Sequence, residues 1–235
     1  MALPKLNDKP KYEMKIPSTK EEVRFRPFLV KEEKVLMIAM ESEDTRQILN
    51  AVVDTLDACI EGGVNKTKLT TFDVEYMFTK LRSKSVGEVA TLAIECSHCN
   101  TKNEVTANLE GLDLVVPDDI EHVIEIDEGI SLEMQWPSYL AISDLDNLDV
   151  NNTMSAFKIL SCSLAFVITE DERIDMREVS EDEIQAFIES MNREQFLKVQ
   201  QYLDSMPKLS HDIEFTCENC KKSNTQTLEG MASFF

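Results

Sequence analysis

The sequence predicts an α+β fold: an N-terminal helical unit, then a strand-rich part whose two Cys-x-x-Cys halves are separated by a large insertion of β-hairpin and helices. Three observations carry this. Apolar residues recur at helical spacing from Lys31 to about Val86. The period then switches to alternation, and strands and helices come in runs rather than in βαβ order. Finally, one small device occurs twice, "CSHCNTKNEVTANLEG" from Cys96 and "CENCKKSNTQTLEG" from Cys217. Each copy has an Asn four residues after its second Cys (Asn103, Asn224) and a Thr three residues further on (Thr106, Thr227).

Residues 1–30 read as an extended arm, because prolines at 4, 10, 17 and 27 block helix and "VRFRPFLV" alternates like a strand. Residues 31–87 form the helical unit. "KEEKVLMIAMES" is its first helix. The second, "SEDTRQILNAVVDTLDACIEGG", takes Ser42 as N-cap and places Ile48, Val52, Leu56, Cys59 and Ile60 on one face, with Gly62-Gly63 as its stop. The third, "TTFDVEYMFTKLRSKSVG", turns Phe72, Tyr76 or Met77, and Leu81 inward.

Residues 88–116 supply the first Cys-bearing half, with strands "GEVATLAIEC" and "NEVTANLEGLDLVV" flanking the Cys96–Cys99 turn. Residues 117–210 are the insertion. It opens with a hairpin around Asp127-Glu128-Gly129, where Val123, Ile124 and Ile126 face Ile130, Leu132 and Met134 with some slippage of register. An acidic connector over 142–153 leads to a long helix, "MSAFKILSCSLAFVI", capped by Thr153, and then to an acidic turn, "TEDERID". Two further helices carry capping signals, Ser180 with Glu183 and Asn192 with Gln195. Residues 211–235 return to strand and deliver Cys217 and Cys220.

Composition narrows the function. The chain has 235 residues, 43% apolar content, only six Gly and seven Pro, and a net charge of -20, so it is globular and acidic. That charge repels phosphate backbones and anionic lipid surfaces, so neither nucleic acid nor membrane is an expected partner; a basic protein is. The N-terminus lacks an uninterrupted apolar core and the longest apolar run, "VLMIAM" at 35–40, is far too short to span a bilayer, so a cytosolic product is expected.

A reducing cytosol favours metal ligation over disulfides for the paired cysteines. One Cys-x-x-Cys turn supplies two thiolates, half of a closed tetrahedral site; two turns complete it. Cys96, Cys99, Cys217 and Cys220 are therefore the expected ligands of one structural Zn²⁺, which makes the strand-rich part zinc-ribbon-like. Residues 100–216 lie between the halves, 117 residues where ordinary ribbons have about 15–20. Closing the longer loop adds only about 1.5–2 kcal/mol. An iron–sulfur cluster takes the same four thiolates and ranks second. A thioredoxin-like redox pair ranks lower, since both pairs lie between strands rather than in a βαβ setting, and so do two Cys-x-x-Cys disulfides, which the cytosol would reduce. His98 has no counterpart at Asn219 and is expected to face solvent. His122 and His211 stand alone and are read as structural.

No phosphate loop, dinucleotide fingerprint, zincin helix or nucleophile elbow occurs, and "TEDERIDMREVSEDE" lacks the Gly and ligand spacing of a calcium loop. A non-enzymatic protein is expected.

Leu3-Pro4-Lys5-Leu6, "VRFRPFLVKEEKVLMIAMES" at 23–42, "MPKLSHDIEFTCENC" at 206–220 and the ending "LEGMASFF" together resemble the T-even-type phage baseplate hub assembly proteins, over nearly the whole chain and in order. The resemblance implies a tail protein that builds the central hub of a contractile baseplate, as assembly factor or component. Its partners would be other hub proteins, in homo- or hetero-oligomers, in the host cytoplasm during assembly or in the virion tail. Arg24, Phe25 and Phe28 in the arm, and Phe234 and Phe235 at the end, are candidate partner anchors, with burial in the protein's own core as the competing reading. The alternative function is a zinc-ribbon adaptor or regulator that binds a basic protein.

Overall fold

The computed structural model describes residues 10–42, 44–109, 112, 114, 116, 120–143 and 153–229. Phe234 and Phe235, residues 1–9, the connector over 144–152 and the side chain of Thr153 lie outside them. The chain divides into two compact units, one built from 1–65, 72–116 and 208–235, the other from 66–71 and 117–207.

The first unit opens with an antiparallel hairpin, β1 (Tyr12–Lys15) and β2 (Glu22–Phe25), in the register Tyr12↔Phe25. The expected arm is thus folded on itself and fastened to its own body. The Ser18 amide and hydroxyl donate to the Asp73 carboxylate at 2.9 and 2.6 Å. Arg26 N donates to Cys59 O, and Glu61 N to Arg24 O. Phe25 is only 2% exposed, which follows from strand alternation: its neighbour Arg24 points outward and pairs with Glu13 at 2.9 Å.

Helix α1 (Val30–Glu41) follows, with Leu29 at its N-cap. Leu29 has no capping side chain, and Glu32 replaces one by accepting from the Leu29 amide at 2.8 Å. Helix α2 (Thr45–Cys59) is capped by Asp44, which accepts from the Arg46 and Gln47 amides. Ser42, the expected cap, instead closes α1, where its amide and hydroxyl both donate to Ala39 O. Val52, Leu56, Cys59 and Ile60 are buried as the helical period requires, whereas Ile48 is half-buried. Gly62 and Gly63 adopt φ of 84° and 75°, and a Cβ at Gly63 would meet Asp57 Oδ1 at 2.7 Å. In helix α3 (Thr71–Ser85), Met77 rather than Tyr76 turns inward beside Phe72 and Leu81.

Hairpins β3 (Val89–Glu95)–β4 (Lys102–Asn108) and β9 (Ser210–Thr216)–β10 (Ser223–Glu229) complete this unit. Each is a separate two-stranded antiparallel sheet, and they share a core of Ala90, Ile94, Ala107, Leu109, Ile213 and Leu228. The strand expected from Asn103 to Val116 stops at Asn108.

The second unit holds a four-stranded antiparallel sheet in sequence order: β5 (Val123–Asp127), β6 (Ile130–Met134), β7 (Leu164–Ile168) and β8 (Arg173–Asp175). Gly129 supplies the turn between β5 and β6 with φ 75°. Ile124 pairs with Leu132, Val123 with Glu133 and Asp127 with Ile130, the register shifting between Glu125 and Asp127. A short helix, α4 (Tyr139–Ser143), follows β6.

The long helix expected over 154–168 is corrected: helix α5 (Thr153–Ser163) gives way to β7 at Leu164. The Ser163 carbonyl accepts from Gln135 N at 2.8 Å, outside the helix. "LAFVI" then pairs on both sides, with β6 and β8. Aromatic and β-branched side chains suit that central position, and tertiary pairing overrides the local helical spacing. Helices α6 (Glu181–Glu189) and α7 (Arg193–Asp204) start at the expected capping boxes of Ser180 and Asn192. Leu132, Leu160, Ile188, Val199 and Tyr202 are among the residues of this unit's core. His122 Nδ1 lies 2.8 Å from the Tyr202 hydroxyl, and Trp136 stacks on Tyr202 at 4.4 Å.

Buried Glu32 generates a prediction. Arg26 donates to its Oε1 at 2.9 Å. Burial pushes the carboxyl up, but hydrogen bonds from Arg26, the Leu29 amide and Lys31 outweigh this and hold it below its ordinary value of 4.5. A depressed folded-state value means the stabilisation is complete above the ordinary carboxylate range and fades as pH falls through the folded value. Glu32→Gln should therefore cost about 1.5–3 kcal/mol at neutral pH in urea unfolding. The difference from wild type should shrink below pH 4.5.

Candidate metal centre

Hairpins β3–β4 and β9–β10 each carry a cysteine pair in the turn between their strands. In the first, Cys96 N donates to Thr101 O and Asn100 N to Cys96 O, both at 2.9 Å. In the second, Cys217 N donates to Lys222 O and Lys221 N to Cys217 O, both at 3.0 Å. Asn100 and Lys221 sit at equivalent positions with positive φ of 56° and 59°. Both turns thus fold alike, residue for residue.

The four sulfurs converge. Cys96 Sγ lies 3.6 Å from Cys220 Sγ, and Cys99 Sγ lies 3.6 Å from Cys217 Sγ. All four lie within 4.8 Å of one another, close enough to bind one metal ion. No two are bonded to each other. Four thiolates around Zn²⁺ at about 2.3 Å would sit about 3.8 Å apart on a tetrahedron's edges, so the spacing fits. The donor set also fits, since sulfur ligands suit zinc or iron and leave no place for a hard oxygen-seeking cation.

The thiols hold their protons unequally. Hydrogen bonding with the Thr101 side chain and backbone pulls Cys99 down to about 6. Burial pushes Cys96 up, but the His98 and Cys99 amides outweigh it and leave it lowered. The Lys222 amide pulls Cys220 down, yet burial and the three neighbouring thiols push it up to about 11. Four thiols this close cannot all ionise without mutual repulsion. A bound cation removes that conflict.

The sequence repeat named Asn103 and Asn224 without assigning them work. The structure does. Asn103 Oδ1 accepts from Glu218 N at 2.9 Å, and Asn224 Oδ1 accepts from Ser97 N at 3.0 Å. Ser97 and Glu218 are the residues after the first cysteine of each turn, so each asparagine crosses to the opposite turn. Each then uses its Nδ2 on its own hairpin, Asn103 to Thr101 O and Asn224 to Lys222 O. Both side chains are buried, 4% and 5% exposed. Matched position in the two copies was the signal that could have found them. Thr106 and Thr227, the other repeated pair, do no such crossing; Thr227 donates to Asp212 within its own hairpin.

His98 is exposed, and Cys59 and Cys162 are not among the clustered cysteines. Burial pushes the Cys59 thiol up to about 11. Of the candidate partner anchors, Phe25 is in the protein's own core, Phe28 is half-buried, and Arg24 is exposed. Among the described residues no helix is long and apolar enough to cross a membrane.

The Asn pair generates a symmetric prediction. Asn103→Ala and Asn224→Ala should each remove two hydrogen bonds, one of them across the hairpins, and cost about 1–3 kcal/mol in urea unfolding. Thr106→Ala should stay within about 0.5 kcal/mol, as surface changes do.

The chain belongs to the T4 bacteriophage base plate protein family, whose model matches residues 9–235. No curated protein matches it, and neither does any solved structure.

Proposed function

We propose that this baseplate-family chain is a non-enzymatic component or assembly factor of the central hub, acting through protein–protein contacts and held together by one structural zinc ion. The observation that carries the metal reading is the convergence of four thiols from two matched turns. Cys96, Cys99, Cys217 and Cys220 would bind the ion in a zinc-ribbon-like arrangement. Four protein sulfurs leave no open coordination position for a substrate, which favours a structural role over a catalytic one.

Family membership supports a structural place in the virion tail, among other baseplate proteins. The hub assignment rests on the finer resemblance at 23–42 and 206–220. The net charge of -20 suits basic protein surfaces rather than nucleic acid or lipid. Assembly in the host cytoplasm follows from the same reading, and its reducing environment keeps the thiols available. The adaptor alternative gains nothing from the family match.

Purified protein should carry about one zinc per chain by native mass spectrometry with elemental analysis. Cys217→Ser should drop this to near zero and destabilise the protein; a fully loaded variant would contradict the four-sulfur site. For the hub role, the tagged chain co-expressed with the tail's other baseplate proteins should retain a hub protein on purification. Retention of peripheral baseplate proteins alone would overturn the hub assignment while leaving the metal site standing.

A further inference from the structure

Helix α1 buries only Glu32, Leu36 and Ala39. Val30, Val35, Met37, Ile38 and Met40 are 41–79% exposed. Helices that are apolar around most of their circumference are normally covered, and a cluster of exposed apolar side chains marks an interaction surface. Directly opposite the buried stripe run Val30, Lys34, Met37 and Glu41, spaced four, three and four residues apart, with Ile38 alongside. This is the seam spacing of paired helices.

The charges on that seam say what covers it. Lys34 and Glu41 are both exposed, and among the described residues neither has an ion-pair partner. They are seven residues apart, about 10 Å along the axis, too far to satisfy each other. Both stand at equal distance from the midpoint between Met37 and Ile38. An antiparallel second copy of α1, related by a twofold axis through that midpoint, places Lys34 of each copy opposite Glu41 of the other. Met37 and Ile38 then meet between the two charge pairs. A purely basic or purely acidic partner would leave one of the two charges opposed by its like. The pattern is self-complementary, as an isologous interface must be.

We infer that α1 is a homodimer interface, formed by antiparallel pairing through Met37 and Ile38 and registered by reciprocal Lys34–Glu41 ion pairs. The inference goes beyond the hub reading and does not involve the metal site. The net charge of -20 opposes self-association at long range, but at about 0.15 M salt such repulsion is screened beyond roughly 8 Å.

Analytical ultracentrifugation of the full-length, metal-loaded protein at that salt tests it. Wild type should show a monomer–dimer equilibrium. Lys34→Glu and Glu41→Lys should each weaken it about tenfold, and the double reversal should restore it to within about threefold. Met37→Glu should give monomer throughout, with unchanged circular dichroism as the folding control. Glu41→Lys makes the chain less negative, so a dimer it strengthens would mean net charge alone governs association, and the inference fails. A monomeric wild type at about 100 μM overturns it too. So does a monomeric wild type whose capture of another baseplate protein is abolished by Met37→Glu, since the face then serves a different partner.

Discussion

Two asparagines, each accepting an amide from the opposite hairpin, and four sulfurs facing one another hold together parts of the chain more than a hundred residues apart. The rest of the chain's layout depends on this clasp. Residues 100–216 leave from one turn and return at the other, so all of the second unit except residues 66–71 lies, in sequence, between the two cysteine pairs. The longer loop adds about 2 kcal/mol of closure entropy, which is small beside the roughly 10–16 kcal/mol that structural zinc supplies in small peptides. The four sulfurs are not the only contact between the two hairpins. Ile94, Ala107, Ile213 and Leu228 pack between the hairpins, and the buried asparagines tie the two turns together by hydrogen bonds to the Glu218 and Ser97 amides.

Much of this was legible in the sequence because the physics was local. Cys-x-x-Cys spacing, the capping boxes of Ser180 and Asn192, and the Gly129 turn each depend on a few adjacent residues. What escaped depended on distant partners. "LAFVI" continues the helical period of the residues before it, and only pairing with β6 and β8 makes it a strand. Ser42 and Asp44 are both good caps in isolation; the choice fell to the residue whose carboxylate reaches two amides. Asn103 and Asn224 were visible as a repeat, but a crossed hydrogen bond cannot be read from one strand of text. Phe25 shows the same limit, because alternation tells that Arg24 and Phe25 face opposite ways but not which way is inward.

The N-terminal segment illustrates how an arm becomes a fastener. Its prolines exclude helix, its alternation permits a strand, and the Ser18–Asp73 and Arg26–Glu32 contacts fix the hairpin to α3 and α1. The side chains left outward are mostly charged, until α1 presents its apolar seam. In this chain of the base plate family, the exposed apolar residues of α1 are the surface that the proposed self-pairing would cover.

The most direct test of the clasp is X-ray absorption at the metal edge of protein purified from the host cytoplasm. A zinc edge with four sulfur neighbours at about 2.3 Å and no nitrogen or oxygen in the first shell is the expected result. A shell containing nitrogen or oxygen, an iron edge, or no bound metal in protein whose four thiols remain free would contradict it.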